Sequence, residues 1–137
     1  MSRVHITSKE NWRDIQKHGR IEPGRLAGRP TRSTHPDHIY VLGDVDTSDP
    51  DLLKSLRHGV AEGKNQTRTE SAPLPDDEFV VLEVKDTADV TWEACVGKKK
   101  ELAPPLGPVP PEVLDRIGEY ERTETSIDTG HLREIPL

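Results

Sequence analysis

The chain has 137 residues, enough for one domain with a modest core, and only 31% of them are hydrophobic. Charged residues make up 32% and glycine plus proline fill 22 positions, so loops take much of the chain, yet a net charge of −6 leaves it foldable. The acidic balance argues against broad nucleic-acid binding by electrostatics alone, the single Cys95 excludes an internal disulfide, and no stretch approaches the ~20 apolar residues of a membrane span.

Charge is unevenly spread. Residues 1–68 carry 12 Lys/Arg against 9 Asp/Glu, and residues 69–137 carry 7 against 16, so the first half is the one suited to an anionic ligand. Met1 to His5 lacks the long apolar region of a signal peptide. The expected setting is therefore the cytoplasm, or delivery to a target cell as part of a longer protein, with no membrane partner.

In chain order, Arg3–Ile6 reads as a short strand that carries His5. Ser8 is a good N-cap with Glu10 in the first turn, Trp12 and Ile15 share a face, and Gly19 supplies the stop, so a helix is predicted over Lys9–His18. Ile21-Glu22-Pro23-Gly24 reads as a brief extended piece and a turn, and Arg25–Asp37 as a polar loop. His38–Leu42 is a second strand containing Tyr40. Ser48-Asp49-Pro50-Asp51 starts a helix whose apolar face is Leu52, Leu53 and Leu56, with Gly59 as its predicted end.

Glu62–Asp77 has almost no apolar content and reads as a loop. Phe79–Val84 is a near-continuous apolar run after Glu78, the mark of a strand buried on both faces. A short strand is expected at Val90–Trp92, a helix at Pro111–Ile117 with Val113, Leu114 and Ile117 inward, and an edge strand at His131–Ile135. Cys95, between Ala94 and Val96, reads as a small buried hydrophobe. Three or four strands with two or three short helices, in no βαβ order, predict a single α+β domain over 1–137.

The order of these pieces carries a resemblance. His5-Ile6-Thr7-Ser8, the helix exit Gly19-Arg20-Ile21-Glu22-Pro23 and the strand His38-Ile39-Tyr40-Val41 are similar to successive landmarks of ADP-ribosyltransferase-like domains. The nearest flavours are the rifampin ADP-ribosyltransferases and bacterial ADP-ribosyltransferase toxin domains, and the matching segments, residues 4–23 and 38–42, cover 25 of the 137 residues. Val109-Pro110-Pro111-Glu112-Val113 also resembles a Pro-Pro-Glu segment late in some of those toxins.

The resemblance implies a compact split or bent sheet flanked by short helices. It implies transfer of ADP-ribose from NAD to an acceptor, with release of nicotinamide. His5 would bond a ribose, Thr7 or Ser8 the nicotinamide ribose, and Tyr40 would stack on the nicotinamide ring. Arg20, with Arg25, Arg29 and Arg32, would meet pyrophosphate. The family's carboxylate falls either just before the apolar strand, at Glu78, or beyond it, at Asp86 or Asp89. Bond cleavage leaves an oxocarbenium-like cation that such a carboxylate stabilises. The acceptor, whether protein, nucleic acid or small molecule, is unidentified, and an immunity or regulatory protein is a partner of the kind such toxins imply.

Two other classes stay open. One is a non-catalytic nucleotide- or protein-binding module on the same fold. The other is a metal-dependent hydrolase or nuclease centred on His35, Asp37 and His38, whose imidazoles and carboxylate are metal-ligand types.

Overall fold

A computed structural model of the protein describes residues 1–23, 38–66, 72–97 and 109–137. In chain order the elements are β1 (Ser2–Ser8), α1 (Lys9–His18), β2 (Arg20–Ile21), β3 (Ile39–Val45), α2 (Pro50–Gln66), β4 (Phe79–Val84), β5 (Glu93–Cys95), α3 (Pro111–Leu114), β6 (Tyr120–Thr123), β7 (Ile127–Asp128) and β8 (Leu132–Ile135). Single 3₁₀ turns at Asp76–Glu78 and Thr129–His131 lead into β4 and β8. Six strands form one antiparallel sheet in the order β5-β6-β3-β1-β4-β8, and β2 pairs separately with β7. The class is α+β, as the pattern of segments predicts.

Each face of the sheet buries one apolar cluster. Leu52, Leu53, Leu56, Val60 and Ala61 of α2 pack on Val4, Ile6, Leu42, Phe79 and Val81. Trp12 and Ile15 of α1 pack on the other face, against Ile39, Val41, Val80, Leu82 and Val84. β4 therefore feeds both clusters by alternation, which is why its sequence is apolar almost without interruption.

Helix α1 occupies the predicted residues because both ends carry their own signals. The Ser8 hydroxyl accepts from the Asn11 N–H at 3.1 Å, and Gly19, at φ 79°, donates its N–H to the Ile15 carbonyl at 2.9 Å. Helix α2 departs from expectation. Asp49 caps it, accepting from the N–H groups of Asp51 and Leu52, but the helix runs past the predicted stop at Gly59 to Gln66. Gly59 is buried, and the packing of Val60 and Ala61 on the sheet outweighs the ~1 kcal/mol that a mid-helix glycine costs. Residues 62–66, expected in a loop, are thus its last turn.

Four further differences follow. The short strand lies at Glu93–Cys95 rather than Val90–Trp92, because Val90 and Trp92 instead pack beside the α1 cluster. β6, Tyr-Glu-Arg-Thr, gives little apolar signal, since its Arg122 pairs across the ladder with Glu93 of β5. The helix expected over Pro111–Ile117 closes at Leu114, with Leu114 and Ile117 buried as expected. Cys95 is half-exposed on the edge strand β5 rather than buried. The strand expected at His131–Ile135 is β8, at the sheet edge beside β4.

Candidate functional site

β1 is the centre of the candidate site because its two neighbours treat it differently. Toward β4 the register is unbroken over six rungs, from Arg3↔Val84 to Ser8↔Phe79. Toward β3 it is irregular between Ser2 and Val4 and stops at Val4↔Leu42, although Ile39 and Tyr40 remain extended and paired to β6. The two central strands part there. The His5 ring closes the gap, with Nδ1 2.8 Å from the Tyr40 carbonyl oxygen.

A carbonyl only accepts, so Nδ1 of His5 must carry the proton and Nε2 is left as an acceptor. Burial lowers the imidazole from 6.5 to about 4; the bond to Tyr40 opposes that shift and the charge of Lys64 adds to it. His5 is neutral at pH 7 in one fixed tautomer. Lys64 comes from the last turn of α2, and burial pushes its ammonium down to about 8. A neutral imidazole acceptor thus stands at the parted strands, close enough to the Lys64 cation to feel its charge.

His5 meets the backbone of Tyr40 and not its ring. The Tyr40 ring is half-buried against the α2-side cluster, with the His38 ring edge-on at 6.0 Å. The Tyr40 hydroxyl takes a hydrogen bond from Arg122, whose guanidinium also makes a two-pronged pair with Glu93 at 2.9 and 3.1 Å. Both partners raise the Arg122 pKa, Glu93 more strongly.

The other expected residues divide. Thr7 is fully buried and its hydroxyl accepts from the Asn11 side chain at 2.7 Å, while Ser8 caps α1. Both hydroxyls thus hold the start of the helix. Arg20 pairs with Glu22 on β2, outside the main sheet. Glu78 is exposed at the end of the 3₁₀ turn, one residue before the Phe79↔Ser8 rung. Four residues separate it from Leu82, the partner of His5, or ~13 Å along the strand. Asp86 and Asp89 lie past Val84, at the Arg3 end of β1, and Asp86 pairs with Arg3. Of the candidate acids, Glu78 shares the Ser8 end of the sheet.

His35, Asp37, Arg25, Arg29 and Arg32 lie outside the described residues, and His38 Nε2 stands 3.5 Å from Glu124. A groove of about 600 Å³ opens at the Arg3 end, lined by Asp44, Glu83, Glu119 and Glu121, and Arg3 pairs with Glu121 at 2.8 Å. With Asp86 its acidic side chains outnumber the basic Arg3 and Lys85, a balance that disfavours the phosphates the resemblance calls for. Sequence reasoning missed Lys64, because a lysine near a helix end reads as solvated; only the extension of α2 past Gly59 puts it in a helical turn where burial acts on it.

Comparison with protein-family models, curated proteins and solved structures gave no match to this chain. No helix among the described residues is long and apolar enough to cross a membrane.

Proposed function

We propose that the chain is an ADP-ribosyltransferase-type domain that takes NAD at the place where β1 and β3 part. The observation that carries the reading is the early end of the β1–β3 ladder with a neutral, tautomer-fixed His5 in the gap. The fold this reading needs is a sheet split between its histidine strand and its tyrosine strand, within the α+β class.

In this reading Nε2 of His5 accepts a ribose hydroxyl, and Lys64 faces the pyrophosphate in place of Arg20. Glu78 sits beyond direct reach of His5, so the two serve different parts of one extended dinucleotide. The bond between ribose C1′ and the nicotinamide nitrogen breaks, and its electron pair leaves with nicotinamide. The Glu78 carboxylate stabilises the cationic sugar until the acceptor attacks C1′ and gives up its proton to solvent. Tyr40 contributes its carbonyl to orient His5, and its ring forms one wall.

A non-catalytic nucleotide-binding module is the second reading. It is favoured by the engagement of the Thr7 and Ser8 hydroxyls with Asn11 at the start of α1, which draws both candidates for the nicotinamide-ribose contact into the helix. One assay separates the readings: nicotinamide release from NAD by the purified chain, with NAD affinity measured alongside. Catalysis predicts release that falls ~100-fold in Glu78→Ala with affinity kept, and that is lost along with affinity in His5→Ala. Affinity without release supports the binding module. Neither affinity nor release removes the nucleotide reading altogether.

A further inference from the structure

We infer that the chain holds a divalent transition-metal site at His58, Glu62 and Asp76. None of the three is a residue of the nucleotide site proposed above. His58 and Glu62 are four residues apart on α2 and so share one face, and Asp76 begins the 3₁₀ turn before β4. One ligand-type atom from each residue lies within 4.8 Å of the other two, and His58 Nδ1 is 2.8 Å from Asp76 Oδ2.

Three ligand atoms of a tetrahedral zinc, each at about 2.1 Å, sit ~3.4 Å apart. Side-chain rotations that move the atoms by about 1.4 Å at most close the difference. A neutral imidazole and two carboxylates carry two negative charges, which balance a dication, and the donor set of one nitrogen with two oxygens suits Zn²⁺ or Co²⁺ better than Ca²⁺ or Mg²⁺. All three side chains are half-exposed, so an ion can enter and keep water on its remaining positions.

The two arms are also held in place independently of any ion. The Asn65 side chain donates to the Leu74 carbonyl at 2.8 Å and accepts from the Leu74 N–H at 2.9 Å, fixing the segment before Asp76 against the last turn of α2. A preorganised site of this kind loses little order on binding. As a plain ion pair, His58–Asp76 at this exposure contributes little to stability, and it leaves Glu62 unexplained.

The test is calorimetric titration of the full chain with ZnCl₂, with the visible spectrum of the Co²⁺ form as a second readout. The expected result is one Zn²⁺ per chain with micromolar affinity. His58→Ala, Glu62→Gln and Asp76→Asn should each weaken it about 10–100-fold, and the cobalt form should show the absorption of a four- or five-coordinate ion. Glu62→Gln preserves volume and helix, so its loss of affinity reports on ligation rather than folding. Absence of binding at ~100 μM Zn²⁺, or unchanged affinity in His58→Ala, would overturn the assignment. Since NAD affinity is measured on the same protein without metal, failure here leaves the nucleotide reading untouched, and the reverse holds.

Discussion

The two sides of β1 solve the same problem by different means. Toward β4, each central rung is completed by backbone, and the neighbouring side chain at the His5 level is Leu82, fully buried. Toward β3, the backbone ladder ends early and the Tyr40 carbonyl is satisfied by an imidazole. A rung of backbone accepts any side chain that packs; a rung made by a side chain requires one with a donor at the right reach. The first side is therefore tolerant in chemistry and strict in volume, and the second the reverse.

Substitutions can break that contrast. The largest effect should come from Leu82→Ala, which opens a cavity between β4 and α1 and is expected to cost about 2–5 kcal/mol in denaturant unfolding. Nicotinamide release below the unfolding transition should be little changed. A cost under ~1 kcal/mol would mean that this side is less tightly packed than its burial indicates.

The His5 side should show itself through pH. Its folded-state pKa of about 4 lies below the unfolded value of 6.5, so between them the unfolded chain binds the extra proton. The stability it contributes is fully present above pH ~6.5 and is lost as pH falls toward and through about 4, by roughly 1–3 kcal/mol. His5→Asn can still donate to the Tyr40 carbonyl but does not titrate, so it should flatten the slope of stability against pH in that window. An unchanged slope would assign the acid sensitivity to other groups.

Ser8→Ala sharpens the comparison at the smallest scale. It removes the α1 cap and should cost about 1 kcal/mol by thermal unfolding, while NAD affinity stays within about twofold. A large loss of affinity without loss of stability would return Ser8 to the ribose contacts that the resemblance implies.

What could be read from the sequence followed local signals. Both ends of α1 were legible because Ser8 and Gly19 act on their own neighbours, and β4 was legible because burial on two faces leaves no polar position. The extension of α2 was not, since Gly59 carries a local stop that packing of Val60 and Ala61 overrides. With that turn hidden, Lys64 and the pairing of His58 with Glu62 stayed hidden too. β6 was illegible because its polar residues are satisfied by a strand 25 or more residues away. Of the site, the nearness of His5 and Tyr40 was legible in the order of motifs. That they meet through a carbonyl, with Thr7 and Ser8 serving the helix, depends on register and capping geometry that residue types alone do not encode.

The placement of the tryptophans has a spectroscopic consequence. The chain has two, Trp12 and Trp92, and both belong to the α1 side of the sheet, Trp12 within the cluster and Trp92 against it with Arg3 over its ring at 5.2 Å. Tryptophan fluorescence, excited selectively over the tyrosines, is thus a one-sided gauge. It watches the layer under α1 and is blind to the layer under α2, where Lys64 and the His58 cluster sit. Unfolding followed by fluorescence and by far-ultraviolet dichroism would superimpose only if the two layers melt together, so this chain carries a built-in meter of cooperativity between its halves.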